Sequence, residues 1–234
     1  MGSAALLQCA SAKDGSLNDV LALGIAEPAT EQVLDEIIAI YKEAGTRFTV
    51  RLSPIAQPTV LPKWLEERGL ALMAHKPKMY RSTGSPPVVA TDLRVERIGS
   101  EYAVSFGEVM QVGTGSPAFV RPWLAATVGL AGWQHYLAFD GGLPVACGAL
   151  FVTDSMGWLG MAATLTSHHH RGAQSAIIAQ RIRDAAELGC RWVSTETSMD
   201  TPERPNPSYR NMVRTGFQQL YMRLDYSPPR QSAS

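Results

Sequence analysis

The sequence predicts an α/β (α+β) protein: a mixed, mostly antiparallel sheet flanked by helices, with a partial second copy of the same unit at the N-terminus. Three observations carry this. Strand-like and helix-like stretches alternate on both sides of a Ser/Thr/Gly/Pro-rich segment at 82–87. Three alternating segments at 133–139, 143–152 and 157–164, parted by Asp140-Gly141-Gly142 and Asp154-Ser155, form a meander. The third runs through a polar turn into an apolar helical stretch, TSHHHRGAQSAII at 166–178.

Taken in order, residues 18–25 (NDVLALGI) are strand-like. Thr30 is placed to cap a helix whose apolar positions Val33, Leu34, Ile37, Ile40 and Tyr41 form one stripe, and Gly45 ends it. Phe48, Val50 and Leu52 alternate as a strand that Pro54 stops. WLEERGL is a short helix closed by Gly69, and a strand carrying Leu70 to Tyr80 follows. Beyond the linker come a strand at 93–98 and helices near 101–112 and 119–128. After the meander, a helix over 173–188 presents Ile178, Ile182 and Ala185 on one face. A strand at 191–197, a proline-rich loop, a short helix at 207–215 and a terminal strand at 217–226 complete the chain.

The two parts match one another. EAGTRFTVRLSP (43–54) aligns with ELGCRWVSTETS (187–198), sharing Glu, Gly, Arg and an aromatic in register. RGL (68–70) matches TGF (215–217) before both final strands. The reading is a duplication with an incomplete first copy, against chance likeness of two α/β units. The expected domains are 1–81, a linker at 82–89, and 90–234.

Bulk properties narrow the function. The 234 residues carry 21 Lys+Arg against 21 Asp+Glu, so no basic face for nucleic acid or an anionic membrane is expected. No apolar run approaches a membrane span, and the opening MGSAALLQCASA lacks the pattern of a secretion signal, with MGS open to being a cloning scar. Cys9, Cys147 and Cys190 are too few and scattered for a disulfide framework. A cytoplasmic protein, with a homodimer possible, is the expectation.

The turn at 166–178 raises the question of metal or anion. Adjacent histidines in an extended loop alternate in direction, so three in a row rarely converge on one ion, and no metal is expected. The first amides of a helix, by contrast, have no internal partner and carry partial positive charge. Gly172 would let that backbone approach a phosphate closely.

Residues 90–226 resemble the GNAT acyltransferase superfamily in element order and in three local features. His169-His170-Arg171-Gly172-Ala173-Gln174 falls on the family's Arg/Gln-x-x-Gly-x-Gly/Ala turn, with Ser175 next. His169 and Gln174 depart from that pattern. The resemblance implies that amides across 169–175 wrap the pyrophosphate of acetyl-coenzyme A or another acyl-coenzyme A. It implies a bulge in the preceding strand, with Ala162, Ala163 and Thr164 facing the pantetheine and the thioester oxyanion; an ordinary buried strand is the alternative. NPSYRNMVRTGF (206–217) matches the family's Asn-led helix, so that Asn206 is either a coenzyme A contact, an N-cap, or both. Where the family often has an acid tyrosine, this sequence has Val213; Tyr209, one turn earlier, either substitutes or packs. Glu196 is either the general base or a solvated strand-end carboxylate. The implied activity is N-acylation of a small-molecule amine, with residues 111–128, Arg121 and Trp123 among them, shaping the acceptor pocket. The alternative is a non-catalytic acyl-coenzyme A binding module. In the first copy, Ile25-Ala26-Glu27-Pro28-Ala29-Thr30 has an acid and no glycine at the equivalent turn, so no cofactor site is expected there.

Overall fold

The computed structural model describes residues 2–229, so Met1 and residues 230–234 of the expected domains lie outside it. The first elements are β1 (Ala5–Leu7), β2 (Asp19–Leu21), α1 (Glu31–Glu43), β3 (Thr49–Leu52), α2 (Leu61–Glu67) and β4 (Ala71–Ser82). Then come β5 (Arg94–Ile98), α3 (Ala103–Thr114), α4 (Val120–Ala126), β6 (Trp133–Asp140), β7 (Leu143–Thr153) and β8 (Met156–Thr164). The last are α5 (Ala173–Glu187), β9 (Trp192–Glu196), α6 (Pro207–Arg214) and β10 (Gln218–Ser227).

These elements form two compact units: residues 2–77 with 221–229, and residues 78–220. In the first, β1 pairs antiparallel with β2, β2 parallel with β3, and β3 antiparallel with β10 through Leu52 and Leu224. Thr30 caps α1 as the sequence implies, its hydroxyl accepting from the Val33 amide at 3.2 Å. Leu34, Ile37 and Tyr41 bury the helix's stripe, and Tyr41 stacks on Phe48 with ring centroids 4.4 Å apart. The strand expected over 18–25 is cut to Asp19–Leu21 because Ala22 and Gly24 take positive φ. Gly24 is required there: a Cβ would lie 2.3 Å from the Gln57 carbonyl oxygen.

In the second unit, residues 78–82 of β4 pair antiparallel with β9, and β9 runs parallel to β8. Beyond β8 the meander β8–β7–β6 and the edge strand β5 are antiparallel. One face of this sheet packs Leu150, Leu159 and Val193 against Ile178 and Ile182 of α5. The other packs Leu137, Cys147 and Ala149 against Phe106 and Val109 of α3. The sheet is mixed and flanked by helices on both faces, as the sequence predicts.

The boundary falls elsewhere than the linker composition suggested. Both halves run strand–helix–strand–helix–strand, β2-α1-β3-α2-β4 and β8-α5-β9-α6-β10, with the first two strands of each parallel. Yet the end of β4 pairs with β9, and the end of β10 pairs with β3. Each unit thus takes its last strand from the other half of the sequence. The hydrogen bonds of those strands place the divisions at 77/78 and 220/221 rather than at 82–89.

Candidate functional site

The site starts from a fault in β8. Cys147 faces Ala163 and Ala149 faces Gly160, so Met161 and Ala162 together oppose the single residue Gly148. Met161 lies at φ +46°, the left-handed region that a side chain disfavours. This bulge turns the end of β8 out of a regular ladder. On the other edge of β8, pairing with parallel β9 ends at Leu159 and Thr195, so these strands part just before the bulge.

After Thr164 the chain makes a 3-10 turn over Thr166–His168, and α5 begins at Ala173. Gly172 is its N-cap, at φ +79°, and no side chain caps the helix. The first helical bond runs from the Ala176 amide to the Gly172 carbonyl, leaving the amides of Ala173, Gln174 and Ser175 ahead of it. Gly172 is needed for its left-handed backbone. Its missing Cβ would face Ala90, 3.1 Å from the carbonyl oxygen. Gly172 also lines a cavity at the start of α5.

Ion pairs set the turn. The Arg171 guanidinium is bonded to Asp140 at 2.6 Å and also to Asp92, while His168 Nε2 reaches Asp140 at 3.2 Å. Arg171 first, then His168, holds the Asp140 carboxyl below its usual range. The Arg171 carbonyl accepts from the Thr91 hydroxyl at 2.8 Å. His169 Nε2 lies 3.1 Å from the Thr164 carbonyl oxygen and closes the turn onto the end of β8. His168 and His169 therefore have different tasks. Among the described residues no group of three or more His, Cys, Asp or Glu is arranged to hold a metal ion.

A cavity of about 480 Å³ joins these parts. Ala162, Ala163 and Thr164 form one wall, and His169, His170, Gly172, Ala173, Gln174 and Ser175 another. The helix α6 supplies Pro207, Ser208, Asn211 and Arg214, and α3 supplies Gly113. Among the described residues no Asp or Glu lines it, and its ionisable side chains are three histidines and Arg214. Uncapped amides beside Arg214, in a lining that holds no Asp or Glu among the described residues, suit an anionic ligand.

Four expected site residues stand outside this lining. Arg171 is turned to its aspartates. Asn206 is spent as the cap of α6: its Oδ1 accepts from the Ser208 amide at 3.0 Å, and its amide nitrogen donates to Thr197 and Ser198. Tyr209 packs against the buried core beside Met212, on the opposite side of α6 from Ser208, Asn211 and Arg214. Glu196, half-buried at the end of β9, stands in register with Lys78 where β8 and β9 part. The family likeness had drawn attention to Asn206 and Tyr209. The spacing of 208, 211 and 214, three residues apart on one helix face, was the signal for the residues that do face the cavity.

Gln174 explains its departure from a small residue. Its amide donates to Ser208 Oγ at 2.9 Å and its oxygen accepts from Asn211 at 2.5 Å, tying α5 to α6. Gly113 lets α3 reach β8; a Cβ there would lie 2.9 Å from that of Ala163. Around the expected acceptor region, Arg121 bonds Gln111 at 2.9 Å and Glu108 at 3.2 Å, and Trp123 is 45% exposed.

No protein-family model matches this sequence, and no curated protein matches it. Solved structures do. A GCN5-related N-acetyltransferase from Kribbella flavida superposes with a TM-score of 0.70 at 18% identity, over 94% of this chain and 84% of that one. One from Sphaerobacter thermophilus gives 0.69 at 16% identity, over 98% and 78%. A tandem GNAT protein from the clavulanic acid biosynthesis pathway gives 0.59 at 14%, over 86% and 70%. The chain has the fold of the GCN5-related N-acetyltransferases, the GNAT fold.

Proposed function

We propose that the protein is an acyl-coenzyme A dependent N-acyltransferase, with acetyl-coenzyme A as the simplest donor and a small-molecule amine as acceptor. One observation carries the reading. One cavity, lined by no carboxylate among the described residues, connects the bulged end of β8 to the uncapped start of α5. The diphosphate sits at the amides of 173–175, near Arg214, and the thioester carbonyl lies along 162–164. The amine nitrogen attacks that carbonyl carbon, the carbon–sulfur bond breaks, and the coenzyme A thiolate leaves. Glu196, where β8 and β9 part, takes the ammonium proton. Solvent returns a proton to the thiolate, because Tyr209 packs outside the cavity. The N-terminal unit is read as a partial copy without a donor site; Glu27 lines the hollow at the start of α1.

A ligand at a hundred times its dissociation constant adds about 2.7 kcal/mol to stability, so acetyl-coenzyme A should raise Tm measurably. Ser175→Glu puts a carboxylate beside the expected diphosphate and should weaken binding on the order of 30-fold, with the apo Tm held. Equal affinity in calorimetry would place the donor elsewhere. A second reading, a non-catalytic acyl-coenzyme A binding module, draws on the position of Tyr209. Binding without thiol release across a panel of amines would select it over the enzyme.

A further inference from the structure

The bulge in β8 needs something to hold it. Met161 sits in a backbone region usually left to glycine, and such residues persist only where their surroundings fix them. On the α3 face its side chain is anchored among Phe106, Leu137 and Cys147, with Sδ 3.8 Å from the Thr127 hydroxyl. The α5 face holds an unusual group. Arg181 is 0% exposed, the largest fully buried side chain among the described residues. Its Nη1 donates to the carbonyls of Ala149, at 2.9 Å, and Gly160, at 3.2 Å, and its Nε to Ile177 one turn back, at 3.3 Å. Ala149 and Gly160 are the last regular pair before the bulge.

Among the described residues Arg181 has no carboxylate partner, and its Nη2 is buried without an acceptor. Asp184, three residues on, is engaged by Tyr136 and Gln180 instead. Burial pushes Arg181 down to about 10, which leaves it charged at neutral pH. Room for the guanidinium comes from Gly148, the residue that the bulge faces. A Cβ on Gly148 would lie 3.0 Å from Arg181 Cζ and 2.6 Å from Ile177 Cγ2. The glycine, the bulge and the arginine thus form one device: the missing side chain admits the cation, and the cation binds the carbonyls at the point where the ladder breaks.

We infer that Arg181 is a positioning residue for acyl transfer, clamping β8 so that the bulge at Met161 and Ala162 keeps the segment 162–164 facing the thioester. This rests on the acyltransferase reading for its kinetic consequence but not for its structural one. Lysine cannot reproduce the whole grip, because an ammonium at the place of Nη1 leaves no second donor along the stem to meet the Ile177 carbonyl as Nε does.

The test uses the full chain and two readouts. Arg181→Met keeps the length of the side chain and removes the desolvated charge, a change that buried cores often tolerate. NMR couplings and shifts should show Met161 leaving the positive-φ region, with the pairing of Cys147 and Ala163 slipping by one residue. Turnover should fall by about 100-fold while KM for acetyl-coenzyme A stays within about threefold, because the turn at 169–175 is held by Asp140 and Asp92. Arg181→Lys, which retains the charge, should recover less than about a tenth of the activity, and it gives the same two readouts if the methionine variant does not fold. A folded variant with Met161 and the register unchanged, or with turnover unchanged, overturns the inference. A register shift in a protein whose wild type acylates no amine leaves the clamp standing and removes the acyltransferase reading instead.

Discussion

At the level of single residues, two side chains carry measurable consequences away from the clamp. His135 is 1% exposed, stacked on Trp133, edge-on to Phe106, and 3.0 Å from the Thr127 hydroxyl. Burial pushes it down to about 4, against about 6.5 for an unfolded chain. Between those values the unfolded state binds a proton that the folded state refuses. Stability is therefore fully present above pH 6.5 and falls as pH drops towards 4, by up to about 3 kcal/mol. His135→Gln should flatten that slope. Urea midpoints measured from pH 7 to 4.5 would count against the assignment if both proteins lost stability alike. Asp140 holds both Arg171 and His168, so Asp140→Asn should loosen the turn and weaken acetyl-coenzyme A binding about tenfold. Its carboxyl is depressed by those partners, so the same turn loses its anchor only as pH falls through the low folded-state value. Wild-type affinity in calorimetry at pH 7 would show that the ion pairs are ornamental to the site.

At the level of elements, the site is a meeting of four: the end of β8, the start of α5, one face of α6 and the close approach of α3. Gly113 governs the last. Alanine there gains up to about 1 kcal/mol of helix propensity, but its Cβ would press on Ala163, and overpacking costs about 1–3 kcal/mol. Gly113→Ala should lower Tm slightly and turnover more, since α3 must back away from the bulge. A rise in Tm with full activity would refute the tight contact. The meander, α1 and α5 were legible in the sequence because periodicity and turn residues are local properties. Thr30 as a cap and Gly45 as a stop were readable for the same reason. The three-residue strand β1 gave no period to detect. The bulge came through family likeness, and its support by Arg181 did not come at all. That residue reads as one more polar position on α5 until Gly148, on another strand, is seen to admit it. Asn206 and Tyr209 show the other side: of the two readings the sequence allowed each, the structure shows the N-cap and the packing. Motif matching selected them, while the helix's own three-residue spacing turned Ser208, Asn211 and Arg214 to the cavity.

At the level of the whole molecule, the last strands are the element that sequence could not place, because which edge a strand joins is decided by non-local pairing. Linker composition at 82–87 marks a true loop, yet β4 already serves the second unit before that loop begins. Residues 78–82 pair with β9 from Glu196 to Trp192, Met79 is fully buried, and the Thr83 hydroxyl donates to the Cys190 carbonyl at 2.7 Å. A chain beginning at residue 86 would lose that ladder and bare one edge of β9, where unpaired backbone groups recruit other chains. A chain beginning at residue 78 would keep it. Both lack β3, the partner of β10, so that defect is shared and cancels in the comparison. The chain from 78 should therefore stay soluble and melt at least about 10 °C above the chain from 86, which should aggregate or unfold first. Equal solubility and equal melting in the two chains would mean that β4 contributes nothing to the second unit, and the boundary would return to the linker.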